Sequence, residues 1–167
     1  SNDRILCEIN RIGNLINREM FLTYNMYILA PPVFMNNFIA KYQDQKEAER
    51  LIINITSGAA ANPYDGWSTY CASKAAIDMV SKVGAKEQEL TKGGIKILAI
   101  APGVVETEMQ EQIRSSDESE FSQRQKFIKL KKDKALYMPG EVAQEFVKII
   151  EDPSIVENVV YRIVIED

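Results

Sequence analysis

The chain contains no histidine and only two cysteines among 167 residues. The first absence excludes Ser-His-Asp and Cys-His nucleophile systems, HExxH zinc sites and imidazole acid–base chemistry. Proton transfer near neutral pH then falls to Tyr, Lys, Ser, Cys or carboxylates with shifted pKa values. Cys7 and Cys71 are too few for a disulfide scaffold or a cysteine-based zinc site. A reduced, cytoplasmic protein without a metal centre is therefore the expectation. No run approaches the ~18 apolar residues of a membrane span, and no basic segment precedes an apolar one at the start. Neither a membrane partner nor a signal peptide is expected. Positive charge is also in deficit, with 20 basic against 24 acidic side chains and a net charge of −4. That balance argues against a nucleic-acid partner. Glycine is scarce early on, since Gly13 is the only one before Gly58.

What remains is ordinary for a globular protein: 46% hydrophobic and 26% charged residues, in a length that suits a single domain spanning 1–167. Residues 15–42 have helical character, with a kink expected at Pro31-Pro32 because each proline removes a helical donor. Residues 51–56 form a β-branched run suited to a buried parallel strand. Residues 57–66 are small and turn-forming. A helix is expected from Ser68, as its cap, to about Leu90, with Ala72, Ala76, Met79, Val80 and Val83 as its apolar face and Gly93-Gly94 as its stop. Residues 95–100 form a second buried strand, ended by Pro102-Gly103. Residues 107–134 are polar and charged and are expected to be mobile. An amphipathic helix over 141–151 and a strand over 159–165 complete the chain. Alternating strands and helices specify an α/β parallel sheet. Three strands with one side unpaired leave a hydrophobic edge, so the chain is expected to be part of something longer, or to pair with whatever supplies the missing strands.

The loop and helix after the first strand hold the chemistry. Tyr70 and Lys74 are four apart, which puts both on one helical face. An ammonium beside a phenol favours the phenolate and lowers the tyrosine pKa from about 10. Such a tyrosine can give a proton to a carbonyl oxygen as it becomes an alkoxide. Ser57 leaves the end of a buried strand, where α/β sheets place their ligand loops, and its hydroxyl can polarise the same carbonyl. Proton transfer of this kind needs no histidine.

These residues and their frame resemble the short-chain dehydrogenase/reductase family, in particular its sepiapterin-reductase and benzil-reductase-like branch. The resemblance is strongest over residues 51–109. It rests on Gly66-Trp67, Tyr70-Cys71-Ala72, Lys74-Ala75-Ala76, Asp78-Met79, Ala101-Pro102-Gly103 and Thr107-Glu108-Met109-Gln110. It implies a Rossmann-like doubly wound parallel sheet whose N-terminal strands are missing from this chain. It implies NADP(H) as cofactor, a small-molecule carbonyl substrate and a homodimer formed through the helices of residues 15–42 and 68–90. Tyr70 would be the proton donor, Lys74 would lower its pKa and bond the nicotinamide ribose, and Ser57 would hold the carbonyl oxygen. Pro102, Gly103 and Val105 would flank the nicotinamide, and Thr107 would touch its carboxamide or phosphate side. Trp67, Cys71, Met109 and Gln110 become candidates for the substrate pocket, against core or surface packing as the plainer role. Residues 110–134 would form a substrate lid. Glu166 and Asp167 are the terminal acids to weigh against the branch's pterin-holding carboxylate.

Two departures accompany the resemblance. The family's fourth catalytic residue is an asparagine on the preceding helix, and here that frame puts Tyr27 in its place. Asn25 lies two residues earlier, about 200° round a regular helix, so either the helix is locally irregular and Asn25 serves, or the relay is altered. The Gly-rich turn that grips a dinucleotide's pyrophosphate is absent, so the chain is expected to be the C-terminal catalytic portion of a longer reductase. A catalytically inactive fragment or pseudoenzyme acting as a scaffold is the alternative. A hydrolase built on Ser57 is a weaker one, since only Lys74 could act as its base.

Overall fold

The computed structural model describes residues 9–165; Cys7, Glu166 and Asp167 lie outside them. Three parallel strands form one sheet in the order β1-β2-β3, with β1 at Arg50–Ile55, β2 at Ile95–Ala101 and β3 at Val160–Arg162. Helix α3 (Ser68–Thr91) connects β1 to β2. Helices α4 (Glu108–Ser115), α5 (Arg124–Lys132) and α6 (Pro139–Glu151) fill the connection from β2 to β3. Ahead of the sheet lie α1 (Asn17–Tyr24) and α2 (Ala30–Tyr42).

β2 is buried on both faces, which is why its sequence is apolar without alternation. Its side chains nonetheless divide by strand period. Leu98 and Ile100 join Val142 and Ile149 of α6, together with Val156 and Ile163. Ile95 and Ile97 face the other way, toward Met35 of α2. Each such buried aliphatic side chain contributes about 1.5–3 kcal/mol relative to exposure. β3 is shorter than the expected run over 159–165. Pairing continues one residue further, where Ile163 N–H donates to the Ala101 carbonyl at 2.9 Å.

Helix α3 does not bury the expected face. Met79 is 59% exposed and Val83 48% exposed. The buried positions are Thr69, Ser73, Lys74, Ile77, Ser81 and Gly84. Small side chains let this helix approach the sheet closely: a Cβ on Gly84 would stand 3.0 Å from both Ile97 Cδ1 and Met35 Cε. Ser81 on that face is satisfied locally. Ser81 Oγ donates to Ile77 O at 2.7 Å and accepts from Asn54 Nδ2 at 2.8 Å. The ends also differ. Trp67 occupies the N-cap position without a side-chain cap bond, and Ser68 is the first helical residue. Lys92, with φ of 54°, turns the chain one residue before Gly93.

The helix over 15–42 is interrupted upstream of its prolines. Asn25–Leu29 forms a π-helical turn, closed by Ala30 N–H to the Asn25 carbonyl. Pro31 and Pro32 cannot donate, and their rings crowd the carbonyls four residues earlier, Tyr27 and Ile28. Widening that turn relieves the crowding, and the prolines open α2 where missing donors cost least.

Residues 107–134 are ordered by α4 and α5, against the expectation of mobility. Ile113, Phe121 and Phe127 are buried in one cluster with Ala59 and Trp67. Most of the segment's charged side chains are exposed, with Lys126 at the cleft.

Candidate active site

The strand ends, the loop after β1, helix α3 and the α4–α5 segment enclose a cleft of about 880 Å³, within the usual range for a ligand pocket of roughly 300–1,000 Å³. Ser57, Trp67, Tyr70, Lys74, Pro102, Gly103, Val105, Thr107 and Met109 all line it. Gln110 does as well, whereas Cys71 is half-buried behind the wall, its thiol 3.7 Å from the Asn62 carbonyl. Burial pushes that thiol's pKa up, which suits packing and not nucleophilic attack.

Ser57 follows β1 in extended conformation, and its Oγ accepts from Ala59 N–H at 3.2 Å as the chain enters a short 3-10 turn. A hydroxyl that accepts from its own loop still has its proton to donate. Lys74 is only 5% exposed. Its Nζ donates to the Ile55 carbonyl, the last residue of β1, at 3.0 Å. The same ammonium stands 4.5 Å from the Tyr27 ring centroid and 5.5 Å from that of Tyr70, both within cation–π range. Tyr27 and Tyr70 meet edge to face at 6.4 Å. The helix is thus locally irregular, yet it is Tyr27 that lines the cleft, while Asn25 is exposed and does not. π-turns of this kind recur at functional sites.

The turn after β2 is held by a residue outside every motif. Tyr137 N–H donates to Val104 O at 3.0 Å, Glu106 N–H returns a bond to Tyr137 O at 3.0 Å, and Val105 bridges Tyr137 in parallel. Gly103 has φ of +82°, and a Cβ there would meet the Tyr137 ring at 2.6 Å. Gly103→Ala combines a left-handed backbone with a ring clash. It should cost about 2–4 kcal/mol, read as a lowered urea midpoint at unchanged m-value. A midpoint equal to that of the parent would show that the turn is not so constrained.

The α4–α5 wall is fastened at two points. Glu106 pairs with Lys131 at 3.0 Å and Arg114 at 2.9 Å, and these partners, Lys131 first, hold its carboxyl below the usual carboxylate range. Asp65 accepts from Ser122 N–H at 3.0 Å and Ser122 Oγ at 2.8 Å, bonds that lower its pKa likewise. Gly66, at φ +74°, allows Glu120 O to approach to where a Cβ would stand 2.4 Å away. Tyr137, Asp65, Lys126 and Arg162 were not singled out by spacing or motif, and only the Asp-Gly turn signal at residues 65 and 66 could have flagged one of them.

Comparison with known proteins is consistent with this geometry. A profile of the short chain dehydrogenases matches residues 19–118. The benzil reductase ((S)-benzoin forming) of Bacillus cereus is 36% identical over 146 residues, which cover 87% of this chain and 58% of that protein. Sepiapterin reductase of Mus musculus is 37% identical over 111 residues, 66% of this chain and 40% of that one. The crystal structure of the KRED1-Pglu enzyme superposes with a TM-score of 0.77 at 26% identity, covering 92% of this chain and 62% of its own. The chain thus spans about three-fifths of the length of the benzil reductases it matches. No described helix is long and apolar enough to cross a membrane. On the profile match and these identities, the chain belongs to the short chain dehydrogenase family.

Proposed function

We propose that this chain is the catalytic portion of a cytoplasmic, NADP(H)-dependent carbonyl reductase acting on a diketone or a pterin side-chain ketone. The observation that carries this reading is the meeting of Ser57, Tyr70 and Lys74 on one cleft. The Tyr70 hydroxyl gives its proton to the substrate's carbonyl oxygen, and Ser57 donates a hydrogen bond to the same atom. The Lys74 ammonium, fixed to the Ile55 carbonyl, stabilises the phenolate that Tyr70 becomes. Tyr27 shields that ammonium, in the place where the family has asparagine. Trp67 and Met109 wall the substrate.

The residues at hand fit the nicotinamide–ribose end of the cofactor. Two buried polar atoms on cleft-lining residues, Trp67 Nε1 and Gln110 Oε1, have no partner among the described residues, which suits a polar ligand. Lys74 and Tyr70 would hold the ribose, with Pro102, Gly103, Val105 and Thr107 beside the ring. When bound, the cofactor supplies the hydride. For the pyrophosphate the chain offers no Gly-rich turn. Exposed apolar side chains on α2 and α3, Val33, Phe34, Met79 and Val83 among them, support the homodimer.

In the full-length protein, benzil or sepiapterin should drive oxidation of NADPH in preference to NADH. Tyr27 in the asparagine frame favours the second reading, an inactive scaffold that keeps the cleft. NADPH binding without carbonyl-dependent oxidation across a panel of ketones would replace the first reading with that one.

A further inference from the structure

In a chain of net charge −4, the cleft has the opposite sign. Lys74, Lys126 and Arg162 line it, and no carboxylate does among the described residues. Lys74 is committed to Ile55 and the two tyrosine rings, and Lys126 to the Tyr64 hydroxyl and ring. Arg162 differs, for no hydrogen bond or ion pair occupies its guanidinium among the described residues. Its place in the sheet explains its reach. Arg162 ends β3 opposite Ala101 of β2, and an alanine there leaves room for a long side chain to cross toward β1. Nη1 ends 4.0 Å from where a Cβ on Gly58 would stand, one residue from Ser57.

We propose that Arg162 is an anion subsite that anchors a carboxylate on the carbonyl substrate, so that oxo acids are the preferred class. The proposal rests on the carbonyl-reductase reading above. In that reading Ser57 fixes the carbonyl oxygen, and the guanidinium beside Gly58 receives a carboxylate a few bonds away. A planar fork of donors suits a carboxylate bidentately. The phosphates of the cofactor are the other anions to consider. Arg162 comes from β3, two strands from the free side of β1, and the KM for NADPH separates the two kinds of anion. The carboxylate is unchanged by the reaction: hydride adds to the carbonyl carbon, a proton to its oxygen, NADPH becomes NADP+, and the product is a hydroxy acid.

Phenylglyoxylate and its methyl ester differ by this charge and almost nothing else. In the full-length protein, kcat/KM should favour the acid, and Arg162→Leu should lower the acid-to-ester ratio by about tenfold or more, chiefly through KM. Arg162→Lys should keep part of the preference, since it keeps the charge and loses the fork. Trp67 is the only tryptophan among these 167 residues and lines the cleft, so the part of the fluorescence change that a Trp67→Phe control removes reports acid binding independently of turnover. An unchanged ratio in Arg162→Leu would overturn the proposal, as would a raised KM for NADPH with the acid's KM unmoved. If Arg162→Leu does not fold, competitive inhibition of ester reduction by the acid in the parent protein decides: none overturns the subsite, and inhibition weakened in Arg162→Lys sustains it. A parent protein that reduces neither compound, nor benzil, nor sepiapterin overturns the carbonyl-reductase reading instead, whereas one that reduces benzil or sepiapterin but neither compound overturns the oxo-acid preference. Fluorescence still judges the subsite then, since acid binding that survives in Arg162→Leu sinks it and acid binding lost there sustains it.

Discussion

Tyr70→Phe should reduce kcat by roughly 10²–10⁴-fold, the span of a general acid's contribution, while the variant still binds NADPH within about threefold of the parent. The substitution deletes one oxygen. The ring is retained, and the ring holds the local packing: it meets Trp67 at 5.5 Å and Tyr27 at 6.4 Å, both edge to face. Lys74 keeps its 3.0 Å bond to the Ile55 carbonyl, which the substitution does not touch. Stability should therefore change little while turnover collapses. Steady-state kinetics on the full-length protein give the first quantity and equilibrium titration with NADPH the second. Turnover within tenfold of the parent would remove Tyr70 from the role of proton donor. Lost cofactor binding with a normal melt would instead make Tyr70 a binding residue first.

How much of this site could be read from the residues follows from what each kind of signal encodes. Tyr70 and Lys74 sit four apart on a regular helix, and strand runs end at Ser57 and Pro102; local spacing carries that information, and the structure brings these residues to one cleft. The buried face of α3 was not legible. Its apolar stripe through Met79 and Val83 points outward, while serine, lysine and glycine face the sheet. Apolar periodicity identifies a covered face only where packing is by bulk, and here closeness of approach mattered more. The α4–α5 segment was hidden differently. Its charge is on the outside, and its three buried anchors, Ile113, Phe121 and Phe127, are too far apart to give a periodic signal. The π-turn at Asn25–Leu29 follows from Pro31 and Pro32, yet a local irregularity does not by itself tell which of Asn25 and Tyr27 enters the cleft. Arg162 was concealed inside an apolar strand run, and only the register against Ala101 shows that it reaches the cleft.

Phe121→Ala should cost about 3–5 kcal/mol, the usual loss for truncating a buried phenylalanine, and the cost should fall on one part of the molecule. Phe121 has no exposed surface. Its ring lies 4.7 Å from Trp67, 5.8 Å from Phe127 and 6.4 Å from Tyr64, so one truncation removes the centre of the aromatic cluster. That cluster shares no buried residue with the two that pack the sheet. Loss of the ring should then open the α4–α5 wall locally before the sheet yields. Native-state hydrogen exchange can see this: amides of α4 and α5 should lose protection while those of β2 keep theirs. A uniform loss across β2 and α5 would show a single cooperative unit and defeat the claim of a separable wall. The kinetic consequence follows from the lining. Met109, Gln110, Lys126 and Phe127 belong to this wall, whereas Ser57 follows β1 and Tyr70 and Lys74 stand on α3, with Tyr70 resting on the edge of the cluster. Loosening the wall should raise KM for the carbonyl substrate more than it lowers kcat, the opposite split from Tyr70→Phe. The two variants together separate the part of the chain that performs proton transfer from the part that holds the substrate against it.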